Sequence, residues 1–197
     1  GLDEVVATLP EPVSRDAKNG ESAVGNFVAD ALRRATGADV GLMPGGTIRE
    51  DDPLTGPVTR ADLVSLVPFD NEVVRVDLDG DRLEAVLAEA SGTHLDSPTR
   101  RRWYGQVSNV ELVWDHGDET LAALRVGGEP VDPRGSYTLA TIDYAVLPNG
   151  LFPSLTTALP TTSAGSIHDA LAAEARAAGL PTAPEGRIER RNTAWED

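Results

Sequence analysis

Residues 20–46, "GESAVGNFVADALRRATGADVGLMPGG", constrain this chain more than any other stretch. Val24, Phe27, Val28, Ala31 and Leu32 recur at the spacing of one helix face, which predicts a helix over 20–37 with Gly37 as its stop. "ADVGLM" follows as a short buried strand and runs into Pro44-Gly45-Gly46. Adjacent glycines admit unusual backbone or a close approach to it. Arg49 comes three residues later. By spacing alone it is either an anion ligand or an ordinary surface charge.

The remaining elements follow from similar signals. Thr59 with Asp62 three residues on marks a capped helix start, and Pro68 ends that helix just before Phe69. "NEVVRVDLDG" alternates as a strand, with Val74, Val76 and Leu78 on one side and Asp79-Gly80 as a turn signal. "DRLEAVLAEAS" is a helix that turns Leu83, Val86, Leu87 and Ala90 inward. "GQVSNVELVWD", "LAALRVGG" and "SYTLATID" read as three β runs. Residues 147–166 read as irregular, "SIHDALAAEARAAG" as a helix, and "EGRIERR" as a short last strand. Helices and strands mix without strict alternation, which predicts an α+β fold, a mixed sheet with flanking helices.

Composition then removes function classes. The chain has 197 residues, 40% of them apolar, enough for a substantial core. No apolar run approaches membrane-spanning length, so no membrane partner is expected. No basic region followed by an apolar one opens the chain, so no signal peptide is read there. The net charge of −15 argues against nucleic acid, whose phosphates favour basic faces. Lys18 is the only lysine. An acidic, lysine-poor composition is expected of salt-loving organisms and also of a high-GC genome, and both readings stand. There is no cysteine, and His94, His116 and His168 fall in no ligand spacing, so no cofactor or transition metal is expected in this chain. "PGGTIR" lacks the Gly-Lys-Ser/Thr of a phosphate-binding P-loop, and no G-x-S-x-G is present. Motifs alone give an acidic α+β chain without a catalyst.

Five segments together resemble the C-terminal, substrate-binding domain of metal-dependent 5′-nucleotidases. They are "ESAVGNFVADALRRATGADVGLMPGGTIR", "GPVTRADLVSLVPFDNEVVRVDLDGDRL", "QVSNVELVWD", "YTLATIDY" and the late "EGRI". The resemblance extends from about residue 13 to residue 191 and implies a single domain over 1–197. It also implies the function of a substrate-recognition domain in a hydrolase that cleaves nucleotide-type phosphate esters. The partners implied are a nucleotide or nucleoside-like small molecule and an N-terminal metallophosphoesterase domain holding two divalent metal ions. The D-x-H and G-N-H-D/E signatures of that catalytic domain are not in this sequence, so the isolated chain is expected to be catalytically silent. An extracytoplasmic location is suggested by the resemblance alone.

The resemblance also assigns residues. Arg49 matches an arginine that contacts the ribose and phosphate side, where a guanidinium's forked donors suit phosphate oxygens. Phe69 and Tyr144 match two rings that sandwich the base. Gly45 and Gly46 match a turn that lets substrate lie close to the backbone. Lys18 falls near an arginine that helps to bind phosphate, and with Arg15 it is a further candidate for a positive wall. Two positions depart from the family. Pro44 stands where many members carry asparagine, and it has neither a side-chain donor nor a backbone N–H. Gly150 stands where the family places a ribose-binding aspartate, with Asp143 and Asn149 as the nearby polar residues. These departures leave two alternatives, a degenerate binding or structural module, and a related hydrolase with another phosphate ester.

Overall fold

The computed structural model describes residues 1–92, 104–148, 151–155 and 160–192. It is an α+β structure built on a five-stranded sheet ordered β10 (Thr162–Ser166), β4 (Glu72–Asp79), β9 (Ser136–Ile142), β2 (Val40–Pro44) and β5 (Gly105–Ser108). Only the β2–β9 pair is parallel; the others are antiparallel, so the sheet is mixed. A second sheet orders β11 (Ile188–Arg191), β6 (Val110–Asp115), β7 (Thr120–Val126) and β8 (Glu129–Pro130). β1 (Val5–Val13) and β3 (Leu54–Thr59) form an antiparallel ribbon.

α1 (Ala23–Thr36) starts one turn later than the spacing predicts, because Ser22 is the cap and accepts from the Gly25 N–H. Gly37 ends it in the left-handed conformation, φ 67°. All five apolar residues read as its inner face are buried. Burying a side chain of this size is worth about 1.5–3 kcal/mol. The helix lies so near β2 that a Cβ on Gly41 would stand 2.4 Å from the Ala29 carbonyl oxygen. On the same strand Leu42 points the other way, since a Cβ on Gly105 of the neighbouring β5 would meet both Leu42 and Ala90 of α3 (Gly80–Ser91). The sheet is therefore covered by α1 on one face and α3 on the other. α2 (Arg60–Leu66) and α4 (Ile167–Ala178) complete the α-helices among the described residues.

α2 has the expected start: Thr59 and Asp62 form a reciprocal capping box. Asp79 and Gly80, read as a turn, are instead the cap and first residue of α3. "GQVSNVELVWD" is two strands in two sheets, because Asn109 takes φ 60° and turns the chain between them. β1, β3 and β10 were not read from the sequence. Pro10, Pro12, Gly56 and Pro57 obscure the first two, and prolines fit there because each strand of a two-stranded ribbon is an edge. β10 is exposed along its whole length, so it has no apolar alternation to read. His168 is half-buried, with Nε2 2.8 Å from the Val67 carbonyl oxygen. His94, residues 100–102, Trp103, Asn149 and Gly150 lie outside the described residues.

Candidate functional site

Strand order gathers the predicted residues at one end of the main sheet. β2 and β9 run parallel, so their carboxyl ends lie side by side. β4 runs against β9 with Val73 opposite Ile142, so the residues entering β4 meet those leaving β9. β5 runs against β2 with Pro44 opposite Gly105. Residues 45–49, residues 69–71, Tyr104 and the short helix Asp143–Val146 therefore converge.

Arg49 and Phe69 touch. The Arg49 guanidinium carbon lies 4.9 Å from the Phe69 ring centroid, and the ring is 36% exposed. Such a contact at an exposed site is worth about 0.5–1 kcal/mol. The Arg49 N–H donates to the Leu66 carbonyl at 2.9 Å, which pins its backbone to the end of α2, three residues before Phe69. Tyr144 is 43% exposed on its short helix. Its segment is tied to that of Phe69: the Asp143 carboxylate accepts from Asn71 Nδ2 at 2.9 Å and from the Tyr144 N–H at 2.8 Å.

Gly45 and Lys18 also make contacts within the chain itself. Gly45 and Gly46 open a 3-10 turn, Gly45–Thr47, and neither has positive φ. A Cβ on Gly45 would stand 2.0 Å from the Ala17 carbonyl oxygen, and its N–H donates to the Tyr104 carbonyl at 2.6 Å. The close approach that Gly45 permits is made by the chain itself. Lys18 donates to Glu50 at 3.1 Å, so its charge is answered within the protein. Among the described residues Arg49 has no ion-pair partner.

Sequence reasoning missed Gln106. It is fully buried and donates to the carbonyls of Ala17 and Gly20, at 2.9 and 2.7 Å, while accepting from the Ser22 N–H. It thereby holds the loop that carries Lys18. Tyr104 beside it is 2% exposed, and burial pushes its hydroxyl pKa up, opposed by the Arg190 guanidinium 4.3 Å from the ring centroid. The Glu-Ser-x-x-Gly-Asn motif also acquires a physical role. The Glu21 carboxylate accepts from the N–H groups of Glu185, Gly186 and Arg187 at 3.3, 2.9 and 2.8 Å, and from Asn26 Nδ2.

A separate cleft of about 590 Å3 near the end of α1 is lined by none of Arg49, Phe69, Tyr144, Gly45, Gly46 and Lys18. Its guanidiniums are already engaged, Arg187 by Asp30, Arg34 by Glu174 and Arg33 by Ser108, so the sheet end is the better candidate.

The same architecture occurs in solved nucleotidases. A 5′-nucleotidase precursor from Thermus thermophilus superposes with a TM-score of 0.83 at 23% identity, over 96% of this chain and 40% of that one. The NAD nucleotidase of Haemophilus influenzae does so with a TM-score of 0.79 at 15% identity, over 96% and 38%. The sequence model for "5'-nucleotidase, C-terminal domain" matches residues 5–157, and the chain belongs to that family. Protein UshA of Yersinia enterocolitica is 33% identical over 131 residues, which cover 66% of this chain and 22% of that protein. The chain thus spans about a fifth of the length of that relative.

Proposed function

We propose that this chain is the substrate-recognition part of a 5′-nucleotidase-like phosphoesterase and that the end of its main sheet receives a nucleoside-type group. The observation that carries the reading is the Arg49–Phe69 contact beside the segment of Tyr144. Two partly exposed rings supply stacking surfaces that tolerate different bases, and a guanidinium without an acidic partner among the described residues supplies donors for an anionic or hydroxylated ligand. The chain's contribution to catalysis is positioning. In this reading cleavage of the ester belongs to an N-terminal metallophosphoesterase domain, as the family resemblance implies. No chemical step is assigned to residues of this chain, and the purified chain is expected to release no phosphate from nucleotides.

A calorimetric titration with adenosine and with AMP, in low and in molar salt, tests the reading. Saturable binding is expected. Phe69→Ala should weaken both ligands by about 1–3 kcal/mol, and Arg49→Ala should abolish any preference for AMP. No binding by the folded chain, or binding indifferent to Phe69→Ala, would overturn it. A second reading, the same fold without nucleotide specificity, is favoured by Pro44, which offers no donor, and by Lys18, whose charge Glu50 answers. Absence of binding would select that reading.

A further inference from the structure

Arg15 is 5% exposed, the most deeply buried arginine among the described residues. Its nearest carboxylate oxygen, on Asp51, is 3.8 Å away, too far for a hydrogen bond. Its donors go instead to main-chain carbonyls. Nε donates to the Arg49 carbonyl at 3.1 Å and Nη2 to the Ser65 carbonyl at 2.7 Å. Arg49 lies past the β2 turn, whereas Ser65 lies in α2, four residues before Phe69. One rigid fork therefore spans the two segments whose side chains meet as cation and ring.

We infer that Arg15 is a positioning residue that sets the Arg49–Phe69 pair, and that it is not itself a ligand for the substrate's anion. Burying a guanidinium against backbone carbonyls is costly where an apolar side chain would fill the space. The arrangement is intelligible if the fork's fixed geometry is what the site requires. Lysine would keep the charge but not the fork, and methionine would keep much of the volume and neither.

Nuclear magnetic resonance of the ligand-free chain tests this directly. The Arg49 side-chain protons above the Phe69 face should be shifted upfield by the ring, and Phe69→Leu should abolish that shift. Arg15→Met and Arg15→Lys should each lose it while the dispersed spectrum of the folded chain persists. A folded variant that keeps the shift would overturn the inference, and so would failure of both variants to fold, which would make Arg15 a residue of the fold alone. A second arm rests on the nucleoside-binding reading. Both Arg15 variants should weaken adenosine on the order of tenfold and AMP at least as much, and should cost nothing further in an Arg49→Ala/Phe69→Ala background, since neighbours acting through one another are not additive. A loss of AMP affinity that persists in that double background would make Arg15 an anion ligand. If the wild-type chain binds neither compound, the nucleoside reading fails, while the ring shift still decides the role of Arg15.

Discussion

Asn71 and Asp143 lie 72 residues apart and meet at 2.9 Å, side-chain amide to carboxylate. The bond joins the loop that carries Phe69 to the turn that carries Tyr144. Hydrogen bonds to a charged group contribute about 1.5–3 kcal/mol. Asn71→Ala should therefore lower stability by about 1–2 kcal/mol in urea titration. It should also weaken a stacked ligand although it removes no ring. Unchanged ligand affinity in a destabilised variant would show that the two aromatic segments keep their places without the latch.

Lys18 and Glu50 form a partly exposed pair, and pairs of this kind are worth about 0–1 kcal/mol. Glu50→Gln should leave stability nearly unchanged. If Lys18 faces the ligand, the freed ammonium should tighten AMP about two- to fivefold at low salt, within that same range, and leave adenosine alone. The gain should vanish in molar salt, where the screening length is about 3 Å. Equal behaviour of both ligands in every condition would place Lys18 outside the binding surface.

Tyr104 gives the chain an alkaline limit. Burial raises its pKa above the ordinary value of 10.0, so the folded state holds the phenolic proton more tightly than the unfolded state. The corresponding stability is complete below pH 10 and is lost as pH rises towards the folded value. A melting temperature followed from pH 8 upward should fall beyond that point. Tyr104→Phe should flatten this fall. It should cost little at neutral pH, because among the described residues the hydroxyl has no partner of hydrogen-bonding geometry. Parallel curves for the two proteins would assign the alkaline loss to other groups.

Glu21 answers three backbone N–H groups at once. Glu21→Ala should cost about 2 kcal/mol, the scale of charge-assisted hydrogen bonds. It should also speed amide exchange at Glu185, Gly186 and Arg187 more than elsewhere. An unchanged urea midpoint would mean that water replaces the carboxylate without loss.

Much of the fold was legible because it depends on local signals. The apolar face of α1, the Thr59–Asp62 box and the alternation of β4 each declare themselves within a few residues, and the structure keeps all three. β10 and the β1–β3 ribbon were not legible, since exposure removes alternation in one and prolines interrupt the other. The split at Asn109 depends on a single left-handed residue between two apolar runs. The aromatic and arginine positions of the candidate site could be read by resemblance, but their supports could not. Gln106 and Arg15 are buried polar residues whose partners lie 89 and 34 residues away, and only tertiary structure reveals what satisfies them. Gly45 shows the converse: its absent side chain was legible, but the neighbour it makes room for was not.

The Glu21 latch sets an order of assembly. Its oxygens and the Gly186 N–H are separated by 165 residues. At about 5–20 residues per second, a growing chain needs roughly 8–33 seconds between synthesis of the first and of the second. The glutamate beside the start of α1 must wait through that interval with its final partners still unmade. Long-range closures of this kind form late and slowly. The nascent chain therefore carries this carboxylate near the start of α1 without its backbone partners until residues 185–187 are made.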